Sequence, residues 1–282
     1  MPISYGPAIR YPTREQYPLH EPLQPGQLAG TSKVFWAILM ERNVQDHAAN
    51  TLLDVAMEAG SHGYTRIMWG YSRTDIARNE IIKCFRNGAK DPDDYLVMLD
   101  NDHLFPPDVI ARLIKWNENV VGALAFRRGP PYFPCFFVRE PKDGMTHIVL
   151  DWGGPGLVPC ALVGTGAVAI KRKVFDALDE AGFTWPYFRY TYPPNNPVLP
   201  SEDIYFGNIC EKAGIQHFVD TTFCIPHLSS ALVDEQTWHQ YVADHPQMMK
   251  DGTGWDRAMM GEHVVEDTTT VQKAPEREFV HV

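Results

Sequence analysis

Uninterrupted apolar segments alternate with longer helical segments through the first half of the chain. The segments Val34–Met40 and Tyr95–Leu99 are wholly apolar, as expected of strands that are buried on both faces of a sheet. Between them the pattern predicts a helix over 45–60, a strand over 65–70 and a helix over 75–88 that ends at a glycine. This alternation predicts an α/β fold with a mainly parallel sheet flanked by helices. Its ligand site is expected beyond the carboxyl ends of the strands.

The second half continues with shorter strands. A proline pair opens a predicted helix over 106–116, and further helices are predicted over 173–181 and 201–212. Gly/Pro turns separate the short strands, so this half of the sheet is expected to be mixed in direction. The predicted strands lie at 119–124, 133–137, 147–150, 162–170 and 214–220.

Composition divides the chain into three parts. Its 282 residues, 44% of them hydrophobic, suffice for one domain with a sizeable core. Six prolines in residues 1–32 disfavour helix and predict an extended N-terminal arm. Residues 33–228 form the predicted single domain. Residues 229–282 are polar and predict a C-terminal extension with one helix near 234–245 and a mobile tail.

Charge and cysteine usage exclude some classes of protein. The formal net charge of −10 argues against broad nucleic-acid binding, which needs a cationic surface to release counterions. The five cysteines are scattered and form no CxxC pair, so neither a disulfide framework nor a zinc ribbon is indicated. No apolar run is long enough for a membrane span. We therefore expect a soluble protein in a reducing, cytoplasmic compartment.

The acidic triplet Asp100-Asn101-Asp102 ends a predicted buried strand. Two carboxylates at such a position are costly unless a cation neutralises them. Hard oxygen ligands suit Mg²⁺ or Mn²⁺ better than zinc, and such an ion also neutralises a diphosphate leaving group. The alternative is that Asp100 and Asp102 only cap the helix that Pro106-Pro107-Asp108 begins.

A second acidic pair and a histidine follow along the chain. Glu202 and Asp203 stand behind Ser201 at the start of a helix, and His227 follows a predicted strand. Alone, the acidic pair is explained equally well by the helix macrodipole, an effect of roughly 0.3–1 kcal/mol. A lone histidine beside a proline is more often structural. Together with the triplet, these residues predict one site in which His227 is a metal ligand.

Four segments resemble glycosyltransferases of the GT-A fold, near family 2 and related phage or bacterial enzymes. The resemblance runs from about Lys33 to Leu228 and rests on the order and approximate spacing of the segments. They are Ser72–Asn79, Asp100–Asp102, Val163–Ala167, and Ser201–Asp203 with His227. The resemblance implies a GT-A, Rossmann-like domain. It implies transfer of a sugar from a nucleoside-diphosphate-sugar, with UDP favoured, to an acceptor hydroxyl on a glycan, small molecule, protein or modified nucleic acid.

The resemblance also implies roles for individual residues around the donor. Gly164-Thr165-Gly166 is similar to a small-residue turn beneath the donor sugar, where a side chain would collide. Asp203 resembles the carboxylate that takes the proton of the acceptor hydroxyl, with Glu202 as the reserve candidate. The residues expected to line the nucleotide pocket are Arg73, Asp75 and Arg78.

The same resemblance implies a divalent metal, Mn²⁺ or Mg²⁺, on the donor diphosphate. Asp102 and His227 are the expected ligands. Asp100 is expected to contact the ribose or a metal-bound water and is counted with the metal ligands. Asn101 is the variable middle residue of the triplet beside the donor.

Two further segments fall where acceptor-facing loops are expected, namely Arg127–Tyr132 and Trp185–Tyr190. Their aromatic rings either stack on a sugar or pack a loop onto the core. The stereochemical outcome is also open, because a base at Asp203 inverts the anomeric centre whereas a leaving phosphate held close to the acceptor retains it.

Two other functions compete with glycosyl transfer. A metal-dependent nucleotidyltransferase also needs paired carboxylates on an open α/β sheet. It usually has a Gly-rich, basic phosphate loop after the first strand, and none follows Met40. A non-catalytic carbohydrate- or nucleotide-binding relative would use the acids only to hold a structural ion.

Overall fold

The computed structural model describes residues 32–39, 46–68, 72–139, 146–191, 201–228 and 232–246. Residues 1–31 of the predicted arm and residues 247–282 of the predicted tail lie outside the described residues. No helix in the described part of the chain is long and apolar enough to cross a membrane.

The first half contains the strands and helices that its pattern predicts. The long apolar segments become central strands because they are buried on both faces of the sheet. Met40 and residues 69–70 of two predicted strands lie outside the described residues. The elements are β1 (Val34–Leu39), α1 (Asp46–Ser61), β2 (Thr65–Ile67), α2 (Thr74–Gly88), β3 (Tyr95–Asp100), α3 (Val109–Ile114) and β4 (Val120–Leu124).

The second half departs from the sequence pattern at several places, since the strand that begins at His217 extends to Cys224 and the short strands His227–Leu228 and Leu232–Val233 were not predicted. The strand predicted over 162–170 is two strands, because the chain breaks at Gly164–Gly166. A strand at Leu157–Cys160 was not predicted. The elements are β5 (Phe136–Arg139), β6 (Thr146–Ile148), β7 (Leu157–Cys160), β8 (Leu162–Val163), β9 (Ala167–Lys171), α4 (Arg172–Glu180), α5 (Glu202–Lys212), β10 (His217–Cys224), β11 (His227–Leu228), β12 (Leu232–Val233) and α6 (Glu235–Asp244).

The main sheet has seven strands in the order β2-β1-β3-β9-β4-β10-β7. β1 runs parallel to β2 and β3, and β10 runs parallel to β4. β9 is inserted antiparallel between β3 and β4, and β7 runs antiparallel to β10 at the edge. The predicted mixed, mainly parallel sheet is therefore confirmed.

Helices cover both faces of this sheet. One core cluster packs α2, α4 and α5 on one face, and a second packs α1 and α3 on the other. A third cluster joins β4, β5 and β10 to α6, whose Trp238 is 2% exposed and lies against Phe133. The described part of the C-terminal extension is thus packed onto the core of the domain.

Two connections bring distant segments to the carboxyl edge of β3. Because β9 is antiparallel to β3, the turn before β9 lies where β3 ends, and the Asp100 amide donates to the Gly166 carbonyl at 2.8 Å. The segment after β10 pairs with the turn after β3, where Leu104 donates to Pro226 at 2.9 Å and Leu228 donates to Asp102 at 2.8 Å. These backbone bonds fix the positions of the side chains described next.

We predict that Gly122→Ala destabilises the fold by about 1–3 kcal/mol through overpacking. A Cβ at Gly122 would lie 2.4 Å from Cγ2 of Val163, a stiff side chain that is 4% exposed. The matched control is Gly60→Ala at an exposed position of helix α1, where a Cβ meets no atom within 4 Å. Because glycine disfavours helix, this control should hold or raise stability. The free energy of unfolding in urea measures both, and an equal effect at the two positions would contradict the prediction.

Candidate metal centre at the carboxyl edge of the sheet

The acidic triplet lies where β3 gives way to a turn, and it caps no helix. α3 begins at Val109 with Asp108 at its N-cap position, and the Asp108 carboxylate accepts from Arg112 Nε at 2.9 Å. The helix-capping alternative for Asp100 and Asp102 is therefore wrong.

Asp102, His103 and His227 form a cluster whose ligand atoms all lie within 4.8 Å of one another. Asp102 Oδ1 is 2.9 Å from His103 Nδ1, and Asp102 Oδ2 is 3.2 Å from His227 Nε2. The two imidazole rings stack with centroids 4.0 Å apart. One carboxylate and two imidazoles thus lie together at the edge of the sheet.

The spacing of the first pair of atoms suits a shared cation. Asp102 Oδ1 and His103 Nδ1 are buried, and neither has a hydrogen-bond partner of good geometry among the described residues. Adjacent ligands of an octahedral ion, each about 2.0–2.1 Å from the metal, are separated by about 2.9 Å. That separation is the one between these two atoms. One carboxylate and two imidazoles are a donor set that suits Mn²⁺ better than Mg²⁺, which prefers oxygen ligands.

The orientation of His227 is fixed by a backbone carbonyl. Its Nδ1 lies 2.9 Å from the Phe126 oxygen, which can only accept, so Nδ1 carries a proton. In the neutral ring Nε2 then presents its lone pair to Asp102 Oδ2 at 3.2 Å. Either a proton on Nε2 or a cation shared by the two atoms makes this contact favourable. A backbone carbonyl on the distal nitrogen is also the usual way in which proteins orient a metal-binding histidine.

Electrostatics prepare the cluster for a cation. Burial alone would raise the pKa of Asp102, but His103 and His227 hold that pKa well below its usual range, so the carboxylate stays ionised. Burial lowers the pKa of His103 to about 4, so its ring is neutral at physiological pH. An ionised carboxylate and a neutral imidazole are the forms that bind metal.

Arg78 binds the other acid of the triplet. Its guanidinium is buried, and its Nη2 lies 2.9 Å from both oxygens of Asp100. It also donates to Glu202 Oε1 at 3.3 Å and to the Thr165 carbonyl at 3.3 Å. Burial raises the pKa of Asp100 to about 7 against the opposing effect of Arg78. The structure therefore places Asp100 on Arg78, outside the metal-ligating cluster.

A narrow cleft lies between the start of α2 and the acidic triplet. Arg73 makes two bonds to the buried Asp75 carboxylate, at 2.6 and 2.7 Å, and its own side chain is 62% exposed. Buried Asn101 lines the cleft, whereas Arg73 and Asp75 stand beside it. The lining residues are Leu39, Ser72, Thr74, Ala77, Asp100, Asn101 and Asp102.

The small-residue turn packs directly against the metal cluster. A Cβ at Gly166 would lie 2.7 Å from His103 Cε1, and a Cβ at Gly164 would lie 2.9 Å from Cys135 Cβ. Thr165 is buried between them and gives its carbonyl to Arg78. Both glycines are thus required by close approach, and the turn forms one wall of the cluster.

Glu202 and Asp203 open α5 but differ in their contacts. Glu202 is buried on Arg78, whereas Asp203 accepts from the Ser201 hydroxyl and from the Ile204 amide at 2.7 Å. Ser201 is at the N-cap position, yet its hydroxyl bonds to Asp203 and makes no side-chain cap. Burial, and then the charge of Glu202, raises the pKa of Asp203. Asp203 is therefore the acid of this pair whose carboxylate is not engaged by an arginine hydrogen bond.

The aromatic segment after α4 is divided between core and surface. Tyr187 and Phe188 are fully buried, and Asn79 holds them through hydrogen bonds to both backbone amides. Trp185 is 51% exposed, and Tyr190 lies 5.6 Å from the Arg73 guanidinium. Packing on the core thus accounts for the middle of this segment.

One residue of the cluster was missed from the sequence. His103 directly follows the triplet, and this adjacency was the signal that could have marked it as a candidate ligand. Arg128 belongs to the segment Arg127–Tyr132, which was expected to face the acceptor. The hairpin formed by residues 127–133 brings its Nη1 to 3.4 Å from Asp102 Oδ2, although its side chain is 55% exposed.

Comparisons with known proteins give distant structural likenesses. No protein-family model and no curated protein matches the chain. The fold is similar to that of a Drosophila β-1,4-galactosyltransferase 7 mutant in complex with manganese, UDP-Gal and xylobiose, at 13% identity and a TM-score of 0.36. That likeness covers 68% of this chain and 66% of the other, so the chain spans just under two thirds of that enzyme's length.

Two further structures show likenesses of the same order. A glycosyltransferase involved in glycosylation of the major capsid of PBCV-1 is 11% identical over 56% of this chain and 69% of its own, with a TM-score of 0.29. The 4-diphosphocytidyl-2C-methyl-D-erythritol synthase of Anaerococcus prevotii is 11% identical over 76% of this chain and 99% of its own, with a TM-score of 0.37. Since different activities share these likenesses, the function has to be argued from the site itself.

We predict that Arg78→Met destabilises the protein by about 3–5 kcal/mol, because it leaves carboxylates in a buried setting without their cation. Arg78 lowers the pKa of both Asp100 and Asp203, so its loss raises both. A carboxyl group whose pKa is higher in the folded than in the unfolded protein lowers the free energy of unfolding once the pH rises above its pKa in the unfolded chain. The loss should therefore be largest above about pH 7, the pKa of Asp100 in the intact protein, and smaller in mild acid.

Urea unfolding at several pH values measures this effect. Lys83→Met on the same helix is the matched control, since the Lys83–Glu80 pair at the surface is expected to contribute only about 0–1 kcal/mol. A loss in Arg78→Met that is independent of pH would assign Arg78 a packing role alone.

Proposed function

We propose that this protein is a metal-dependent glycosyltransferase that moves a sugar from a nucleoside-diphosphate-sugar to an acceptor hydroxyl. The observation that carries the proposal is the convergence of Asp102, His103 and His227 at the edge of the sheet. The cluster adjoins a cleft on one side and the Gly164–Gly166 turn on the other. A divalent metal held there would neutralise the two phosphates of a donor.

The donor is proposed to enter the cleft beside the acidic triplet. The cleft encloses about 30 Å³, close to the volume of one water molecule. The exposed Arg73 side chain at the start of α2 is paired with Asp75 and would have to turn from that carboxylate to reach the phosphates of a donor. UDP is the first nucleotide to test. The diphosphate charge would then be shared between the metal and Arg73.

Asp203 is the proposed base for an inverting transfer. It would take the proton of the acceptor hydroxyl as that oxygen forms a bond to the anomeric carbon. The bond between the anomeric carbon and the β-phosphate oxygen breaks, and the diphosphate leaves with the electron pair. A raised pKa brings a carboxylate nearer to the operating pH, which favours proton transfer. Glu202 is less suited to this role because its carboxylate already binds Arg78.

Two observations favour glycosyl transfer over the competing functions. The sequence 40–45 after β1 contains no glycine, so the phosphate loop typical of many nucleotidyltransferases is not indicated. Asp203 also adds a base that a purely binding module does not need. Product analysis separates the three, because glycosyl transfer releases a nucleoside diphosphate, nucleotidyl transfer releases pyrophosphate, and a binding module releases neither.

We predict that Mn²⁺ with UDP raises the thermal midpoint of the protein and that Asp102→Asn abolishes this shift. At a concentration about 100 times Kd, binding adds about 2.7 kcal/mol, or about 5–10 °C for a domain of this size. His227→Gln should weaken the shift, since it removes a second ligand of the ion. Asp54→Asn on the exposed face of α1 is the matched control and should respond like the wild type. A full shift in Asp102→Asn would exclude the cluster as the metal site.

We predict that Asp203→Asn lowers the rate of transfer about 10²–10⁴-fold and leaves the Mn²⁺–UDP shift unchanged. The wild-type rate should fall as the pH drops through the raised pKa of Asp203, because the base must be ionised. The variant should lack this acid limb. Rates of UDP release against pH measure both effects. If Glu202→Gln instead of Asp203→Asn removes the acid limb, the base is Glu202.

A further inference from the structure

A groove lies beside the metal cluster, between the hairpin after β4 and helix α6. Its volume is about 490 Å³, within the range of about 300–1,000 Å³ found for small-molecule sites. None of its lining residues belongs to the cleft beside the triplet. They include Tyr132, Asp234, Gln236, Gln240, Tyr241 and Asp244.

Both walls of the groove are joined to the metal cluster by backbone pairing. In the hairpin, the Arg127 amide donates to the Phe133 carbonyl at 2.9 Å, so Arg128 and Tyr132 are the next residues inward on its two arms. Arg128 reaches Asp102, and Tyr132 lines the groove.

The second wall is tied to the other ligand of the cluster. β11 pairs with β12 so that His227 lies opposite Val233. The next residue, Asp234, caps α6 and lines the groove. Each wall is thus connected to a proposed metal ligand. Tyr132 lies in the hairpin whose Arg128 contacts Asp102, and Asp234 follows Val233, which pairs with His227. An occupant of the groove would extend toward the place where a donor diphosphate is held.

The groove is built before any ligand arrives. Trp238 of α6 is 2% exposed and packs against Phe133 of the hairpin, which holds the two walls together. The rings of Tyr132 and Tyr241 meet edge to face at 5.5 Å, and Asp234 forms a capping box with Thr237. A preformed site loses little conformational entropy when it binds.

The chemistry of the lining selects a neutral polyol. Tyr132 offers a ring to the C–H surface of a sugar, whereas Tyr241 stacks on His245 with centroids 4.1 Å apart and meets Tyr132 edge to face. Planar amides and carboxylates hold hydroxyl groups in fixed directions. The described lining residues include no lysine or arginine, and their two carboxylates repel anions. Phosphorylated ligands and nucleic acid are therefore disfavoured in this groove.

We infer that this groove is the acceptor site and that the acceptor is a neutral glycan, whose terminal hydroxyl is presented to the metal cluster. The inference rests on the proposed function and extends it by naming the class of acceptor. It assigns the positioning of the acceptor to α6 and to the hairpin, whose Arg128 also contacts Asp102 at the cleft beside the triplet.

The test uses the full-length protein saturated with Mn²⁺ and UDP. Neutral oligosaccharides of glucose, galactose, mannose and xylose are titrated by saturation-transfer NMR, with sialylated and sulfated glycans as the anionic arm. We predict that a neutral glycan binds and that Gln240→Ala and Tyr132→Asn each weaken it at least about tenfold, or 1.4 kcal/mol. Asparagine is chosen because Tyr132 has φ of 55°, a conformation that Asn tolerates.

His239→Ala is the matched control on the same helix, since His239 is 64% exposed and does not line the groove. It should bind glycan like the wild type. The inference is overturned if no neutral glycan binds, if anionic glycans bind better, or if the groove variants bind like the control. The Mn²⁺–UDP thermal shift is recorded for the same samples. If glycan binding fails but the Mn²⁺–UDP shift persists, the acceptor inference is wrong and the proposed function stands. If the wild type shows no Mn²⁺–UDP shift, the proposed function and the acceptor inference are both wrong.

Discussion

The buried guanidinium of Arg78 is the interaction on which the geometry of this site depends. It joins α2 to the end of β3 through Asp100, to the start of α5 through Glu202, and to the turn before β9 through Thr165. The desolvation of a buried cation is offset only when several acceptors surround it. These elements are far apart in the sequence, so one side chain fixes the relative positions of segments that no local pattern relates.

The turn after β3 gives the two acids of the triplet different surroundings. Asp100 is the last residue of the strand and faces Arg78, whereas Asp102 follows the turn and faces two histidines. Arg78 thereby holds the Asp100 carboxylate away from the candidate metal cluster, whereas the Asp102 carboxylate belongs to it. A motif of two acids with one residue between them therefore supplies one structural acid and one proposed ligand.

The sequence was sufficient for the fold class and for most elements, because β1 and β3 are buried on both faces and leave continuous apolar segments. It failed where a strand is short or exposed on one side, as at β7, and where two glycines interrupt an apolar stretch before β9. At the site, the sequence located Asp102, His227 and Asp203 as candidates near one edge. It did not separate the contacts of Asp100 from those of Asp102, since that difference depends on Arg78, which binds Asp100 alone of the two from another element.

The insertion of β9 between β3 and β4 has a consequence for how such a protein diversifies. Because β9 returns the chain to the carboxyl edge of β3, the wall of the metal cluster is independent of the length of the connection from β4 to β9. That connection carries the hairpin, β5, β6 and β7. Insertions, deletions and exchanges there can remodel one side of the pocket while Arg78 keeps the other side unchanged. Relatives of this chain are expected to differ most in the connection from β4 to β9. They are expected to share the geometry of the carboxyl edge of β3, to which that connection returns.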